Sequence, residues 1–166
     1  MDQMPPARAL ADGTRILGVN IAAGDACMVL LEAPDRPLVD ETVELKPAAH
    51  LDGADAARDF HDRFLQELRR VRAEAVAVAH TRQASWVYRK VVPRVRAETC
   101  IMLACTAQRI PFFSVGQQAA SKAVGVPLKT MQADIAGQFG ITPGKRWKDR
   151  HQALAAAVAA AQGMVR

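Results

Sequence analysis

The stretch that most constrains this chain is Arg15 to Ala33, RILGVNIAAGDACMVLLEA. Ile16, Leu17 and Val19 form one apolar run, Cys27 to Leu31 forms a second, and Ala22-Ala23-Gly24-Asp25 lies between them. Gly and Asp tolerate the left-handed backbone a tight turn requires, so the stretch reads as two short strands folded on each other. One polar residue, Asn20, sits midway along the first strand and places a side chain over the end of the sheet. It is an amide and not a carboxylate, and most of the functional reading turns on that difference.

Further elements follow in order. Pro37 to Leu45 alternates as a third strand, with Leu38, Val39, Thr42, Val43 and Leu45 among Asp40, Glu41 and Glu44; that many carboxylates predict an edge strand with one wet face. After the loop Pro47 to Gly53, Ala54 to Arg72 carries Phe60, Phe64, Leu68 and Val71 at helical spacing on one face. Ala75 to Ala79 is a continuous apolar run of the kind found in a central strand covered twice. Trp86 to Gln108 reads as a loop and then a helix opening at Pro93. Thr99 to Ala107, apolar nearly all round, predicts that this helix is buried.

Pro111 to Val115 reads as a fifth strand. Ala119 to Val124 and Lys129 to Phe139 read as helices, the second striped by Met131, Ile135 and Phe139. Gly140 to Gly144 breaks the chain, and Lys148 to Gln162 is an alanine-rich helix thin enough to pack closely on a sheet. Three strands that can meander, then strands alternating with helices, predict a mixed five-stranded α/β sheet covered by helices on both faces. At 166 residues the chain reads as a disordered tail, 1–13, and a single domain, 14–166.

No apolar run reaches the ~20 residues that cross a bilayer, and the first residues lack a signal-peptide pattern, so a cytoplasmic protein with no membrane partner is expected. Cys27, Cys100 and Cys105 are odd in number and lack zinc-type pairing, which predicts buried reduced thiols.

The net charge of +5 conceals a polarity. Residues 1–80 hold 14 acids and 9 bases, whereas residues 81–166 hold 3 acids and 13 bases. Arg82, Arg89, Lys90, Arg94 and Arg96 form a run without an acid, and Lys145, Arg146, Lys148 and Arg150 a second interrupted only by Asp149. A basic half of this strength points to a polyanion, because each phosphate neutralised releases counterions; a solvated basic face is the plainer account.

Four stretches in order resemble one family. ILGVN is similar to a first strand Ile-Leu-Gly-Ile-Asp, and AVAVAHT to a fourth strand that ends in glutamate. ETCIMLACTAQRIPFFSV is similar to a small-residue helix and fifth strand, and Asp149-Arg150-His151-Gln152-Ala153-Leu154 to a closing Asp-x-x-Asp-Ala-Leu. The family is that of the RuvC-type Holliday-junction resolvases, with the ribonuclease H-like fold, and the resemblance runs from Arg15 to Ala161.

The resemblance implies cleavage of a phosphodiester by two divalent ions about 4 Å apart, held by hard anionic oxygens from separate elements. Carried over by position, the first-strand aspartate becomes Asn20, the fourth-strand glutamate falls at His80 or Thr81, Asp149 remains, and the second closing aspartate becomes Gln152. Asp25 and Glu98 are not placed to substitute. Amides bind magnesium weakly and imidazole prefers softer metals, so the expectation is a catalytically degenerate member without a cofactor. The alternative is an active endonuclease on branched DNA that uses Mg2+ or Mn2+ through altered ligands. A separate metal site from His80, Asp149 and His151 is a weaker candidate; His50 and His61 read as ordinary loop and helix-surface residues.

For binding, the resemblance implies DNA, more readily than RNA, against Lys122 and Lys129. Trp86 and Tyr88 fall where the family inserts an aromatic between unstacked bases, and aromatics among arginines suit stacking. Trp86 as core, or as the anchor of a protein interface, is an equal reading. Trp147 is expected to pack under the last helix. A partner protein in place of nucleic acid, and a homodimer, remain open.

Overall fold

The computed structural model describes residues 8–80 and 87–165. The strands are β1 (Arg15–Ala22), β2 (Asp25–Glu32), β3 (Arg36–Leu38), β4 (Glu44–Leu45), β5 (Ala75–His80) and β6 (Phe112–Gly116). The helices are α1 (Gly53–Arg70), α2 (Tyr88–Gln108), α3 (Gln117–Val124), α4 (Met131–Gln138) and α5 (Trp147–Ala161). One mixed sheet has the order β3-β2-β1-β5-β6, with β4 also on β2. The β1–β2 pair is antiparallel, and β1, β5 and β6 run parallel, as βαβ crossovers require.

Strand alternation sorts the core into two layers. Leu17, Val19, Ile21, Met28, Leu30, Val76 and Val78 face α1 and α2, where they meet Phe60, Phe64, Leu68, Ile101 and Ala104. A Phe or Leu buried this fully contributes about 1.5–3 kcal/mol. The opposite face carries Ile16, Val29, Leu31, Ala75, Ala77 and Ala79 against α3, α4 and α5. In AVAVA the valines thus serve one layer and the alanines the other. The alanine side is thin because α5 lies almost on the sheet: a Cβ at Gly18 would stand 2.0 Å from the Ala153 carbonyl oxygen. Only glycine permits that approach.

Four expectations need correction. The third strand is not continuous but broken into β3 and β4, making six strands and not five. The chain turns at Leu38, whose carbonyl accepts from the Glu41 N–H, and Arg150 takes the Val39 and Thr42 carbonyls of the gap. Second, the helix expected to open at Pro93 opens at Tyr88, with the proline inside it. Pro93 packs beneath the β1–β2 turn, where a Cβ on Gly24 would come within 3.0 Å of it, so the residues before it overhang the end of the sheet.

Third, α2 is not buried all round: Met102 is 46% and Leu103 57% exposed. A helix on the outside of a layer keeps an outer face whatever its composition. Finally, within the stretch expected as a disordered tail, residues 8–13 run against the core, with the Leu10 N–H donating to Ala161 and the Gly13 N–H to Ala33. The three cysteines are free and buried, as expected. Among the described residues no helix is long and apolar enough to cross a membrane.

Candidate nucleic-acid interface and the acidic centre beside it

The C-terminal ends of β1, β5 and β6 lie along one edge, because the three strands are parallel. α3 starts directly after β6, and α2 is the next described element after β5. The start of α5 reaches the same edge, since the Asp149 carbonyl accepts from Asn20 Nδ2 at 2.9 Å. Three helix N-termini, each with the partial positive charge of its helix dipole, therefore open on one side of the sheet. The first turns of α2 and α3 contain no acid. Open sheets of this kind bind ligands at such ends.

Asn20, Cys27, Glu44, Ala79 and Val115 lie in one register row across β1, β2, β4, β5 and β6. Asn20 is buried, and its Oδ1 has no hydrogen-bond partner. The residue level with it on β5 is Ala79, which carries no donor atom. His80 is one position further, exposed, and alternation turns it away from the Asn20 face; Thr81 lies outside the described residues. Gln152 Oε1 is buried without a partner and borders a cavity of about 60 Å3 beside Ala79 and His151.

Asp149 does not face that cavity. Its Oδ2 lies 3.0 Å from Arg146 Nε. Arg146 Nη1 is 3.1 Å from Asp25 Oδ2 and 3.6 Å from Glu44 Oε2, and its Nη2 donates to Cys27 Sγ at 3.1 Å. Lys145 Nζ pairs with the other Glu44 oxygen at 2.5 Å. The hydrogen bond from Lys145 holds the Glu44 carboxyl below its ordinary pKa. Burial pushes the Cys27 thiol up to about 11 against the pull of Arg146, so it is neutral at pH 7. Burial opposes the Arg146 charge too, but Cys27, Asp149 and Asp25 together hold its pKa above the usual value.

This centre alters the reading of several residues. Arg146, expected to contact nucleic acid, is committed inward to carboxylates, and Lys145 is shared with Glu44. Glu44, expected on a wet strand face, has a side chain only 10% exposed. Asp25, set aside as a turn residue, is a member. No sequence signal joins residues 25, 44 and 146, because only the folding of β4 and α5 onto β2 brings them together.

The metal trio His80, Asp149 and His151 is not assembled. α5 begins at Trp147, so Asp149 and His151 diverge on its surface. His151 is buried and donates from Nδ1 to the Trp147 carbonyl at 3.2 Å; burial lowers its pKa. Among the described residues no three His, Cys, Asp or Glu side chains gather closely enough to hold a metal ion. The two-ion site implied by the resemblance does not fit the described residues at the positions carried over: an amide (Asn20), an imidazole turned to the other face (His80), a glutamine (Gln152) and one arginine-paired carboxylate (Asp149).

Arg89, Lys90 and Arg96 are exposed on α2, and Tyr88 is 79% exposed at its start. Lys122 borders an open groove of about 600 Å3 with His80, Gly116 and Gln118. Lys129 and Lys148 are exposed. Arg94 is partly buried, with Nη2 3.5 Å from the Ala79 carbonyl. Arg82 and Trp86 lie outside the described residues. Trp147 is buried, its indole N–H donating to the Gln132 carbonyl at 2.9 Å, and it opens α5 where packing under that helix was expected.

No protein-family model matches the chain, and no curated protein matches it in sequence. Solved structures do match. Thermus thermophilus RuvC in complex with a Holliday junction substrate aligns with a TM-score of 0.75 at 18% identity, over 92% of this chain and 98% of that one. A second structure of Thermus thermophilus RuvC aligns with a TM-score of 0.71, also at 18% identity, over 92% and 99% of the two chains.

The chain has the RuvC-type, ribonuclease H-like fold. The yeast mitochondrial Holliday junction resolvase aligns more loosely, with a TM-score of 0.59 at 10% identity, over 93% of this chain and 80% of that one. Within the RuvC-type fold, the sheet edge described above is where β1, β5 and the start of α5 converge, and here that convergence point holds Asn20, Ala79 and the Arg146 ion pairs.

Proposed function

We propose that this protein is a catalytically degenerate RuvC-like protein that binds branched DNA through the basic edge of its C-terminal half. The observation that carries the reading is Asn20. At the position where the resemblance requires an anionic oxygen stands a neutral amide, whose Nδ2 donates to the Asp149 backbone carbonyl and whose Oδ1 carries no charge to offer a metal, and its neighbour on β5 is Ala79. Two divalent ions there would leave most of their charge uncompensated.

Binding is supported by the three helix N-termini on one edge and by the exposed Arg89, Lys90, Lys122, Lys129 and Lys148 around them. These contacts serve phosphates and carry no base information, so recognition follows the shape of a junction more than its sequence. Tyr88, exposed where α2 overhangs, offers a ring to an unstacked base.

The exposed outer face of α2 supports pairing of two copies. Tyr88, Val95 and Met102 recur every seven residues along it, with Leu103 beside them.

Labelled four-way junction DNA, incubated with Mg2+ or Mn2+ and run in parallel by gel shift and denaturing gel, tests the reading. The expected result is salt-sensitive retardation without cutting, weakened in an Arg89→Glu/Lys90→Glu/Lys122→Glu variant. Each phosphate contact removed should lower the slope of log affinity against log salt by roughly 0.9. Metal-dependent cutting that Asp149→Ala abolishes would establish the alternative, an active endonuclease with altered ligands. Binding indifferent to the charge reversals would redirect the basic edge to a protein partner.

A further inference from the structure

β3 and β6 end the sheet on its two sides, and they are built differently. β3 is three residues long and carries Arg36 and Pro37, a charge and an imino acid that discourage further pairing. β6, Phe112-Phe113-Ser114-Val115-Gly116, holds neither a charge nor a proline. Its parallel register with β5, together with the Val76 N–H that donates to the Pro111 carbonyl, fixes which way each backbone group points. In such a ladder Phe113 and Val115 bond towards β5, whereas Phe112, Ser114 and Gly116 turn their N–H groups outward. The Phe112 and Ser114 carbonyls turn outward with them. Among the described residues no strand pairs with this side of β6.

The groove of about 600 Å3 opens on the same edge. It is lined by Ser114 and Gly116 of the strand, Ala119 and Lys122 of α3, and Met164 and Val165 beyond α5. The charge around it has one sign. No acid occurs between Glu98 and Asp134, where Arg109, Lys122 and Lys129 are basic, and none follows Asp149.

We propose that the β6 edge is a docking site for an extended acidic segment of a partner protein, which adds a strand beside Phe112 and Ser114 and sets a carboxylate against Lys122. Side chains two apart on an added strand share a face, so one segment supplies both that carboxylate and an aliphatic group for Ala119, Met164 and Val165. The chemistry selects this occupant over two others. A phosphodiester only accepts hydrogen bonds, and would leave the Phe112 and Ser114 carbonyls facing an anion. A second copy paired edge to edge about a two-fold axis would bring Lys122 of both chains to one seam, where like charges repel.

The probe is a fluorescein-labelled peptide of alternating valine and acid, acetyl-Val-Glu-Val-Asp-Val-Glu-amide, followed by anisotropy and by amide NMR. Its binding should move the Phe112, Ser114 and Gly116 amides and slow their hydrogen exchange. Phe113 and Val115, already bonded to β5, should exchange slowly with or without it. Ser114→Pro removes an outward donor and no bond to β5, so the protein should fold and bind the peptide at least roughly tenfold more weakly. Lys122→Glu should weaken binding roughly threefold or more. N-methylation of the peptide backbone, which leaves the protein unaltered, should abolish it, as should lysine in place of the peptide's acids. Junction retardation should be unchanged in Ser114→Pro.

Peptide binding indifferent to N-methylation overturns the proposal, as does a probe that leaves the edge amides unmoved at millimolar concentration. Phe112 and Ser114 amides as protected as Phe113 and Val115 in the protein alone would show the edge already covered, with the same consequence. Loss of junction binding in Ser114→Pro would assign the edge to DNA. Self-association that this variant dissolves would assign it to a second copy; either result removes the partner segment.

Discussion

The two longest stretches of small and apolar residues, in α2 and α5, look alike on paper and behave differently in the molecule. α5 is buried from Ala153 to Ala161, seated on Gly18 and on the alanines of β5, with α3 and α4 packed over it. α2 buries Ala97, Cys100, Ile101, Ala104 and Cys105 and leaves Val95, Met102 and Leu103 in solvent. The difference lies in the partners. A stripe of small residues on the sheet draws α5 inward until backbone meets backbone, while larger Val, Leu and Phe side chains hold α2 at ordinary distance, with its outer face uncovered among the described residues.

That contrast can be broken most severely at Gly18. Gly18→Val should displace α5 and destabilise the fold by roughly 3 kcal/mol or more, read as a large fall in the urea midpoint. An unchanged midpoint would mean α5 does not sit on β1 as described. Next in size is Arg150→Met at the foot of α5. Its guanidinium donates to the carbonyls of Met28, Val39 and Thr42, and their loss should cost about 2–3 kcal/mol, with β4 detaching first by hydrogen exchange.

On the other helix, Met102→Glu/Leu103→Glu should shift monomer stability by no more than about 0.5 kcal/mol, because both side chains are exposed. The same change should convert a dimer to a monomer in sedimentation, if pairing uses this face. A fall in stability as large as that at Gly18 would show the two helices to be equally buried after all.

The smallest effect concerns pH. Glu44 has its carboxyl pKa held below the ordinary value of 4.5 by Lys145, so its pairing stabilises the fold above about pH 4.5 and is lost as pH falls through the lower folded value. Wild type should therefore exceed Glu44→Gln in melting temperature at pH 7, with the gap closing in acid. A gap that widens in acid would contradict the sign.

Much of the architecture was legible in the chain. Strand runs at ILGVN, ACMVLL and AVAVA, the Phe60-Phe64-Leu68 stripe and the glycine break before α5 each act through local periodicity, and four resemblances in order indicated the RuvC-type fold. The run AVAVA was legible as a strand covered twice, but that its alanines serve a thin layer and its valines a thick one came from the structure. The break between β3 and β4 was hidden because its cause, Arg150, is distant in sequence. Pro93 misled because a proline belongs in the first turn of a buried helix, whereas here the turns before it project past the sheet.

The sequence by itself determined which side chains stand at the end of β1 and at the head of α5, Asn20 and Asp149. That follows from residue identity at positions set by short-range pattern. Only the tertiary structure decided that Asp25, Glu44 and Asp149 share one guanidinium, since a charge spread over residues 25 to 149 acquires meaning only when three elements close around it.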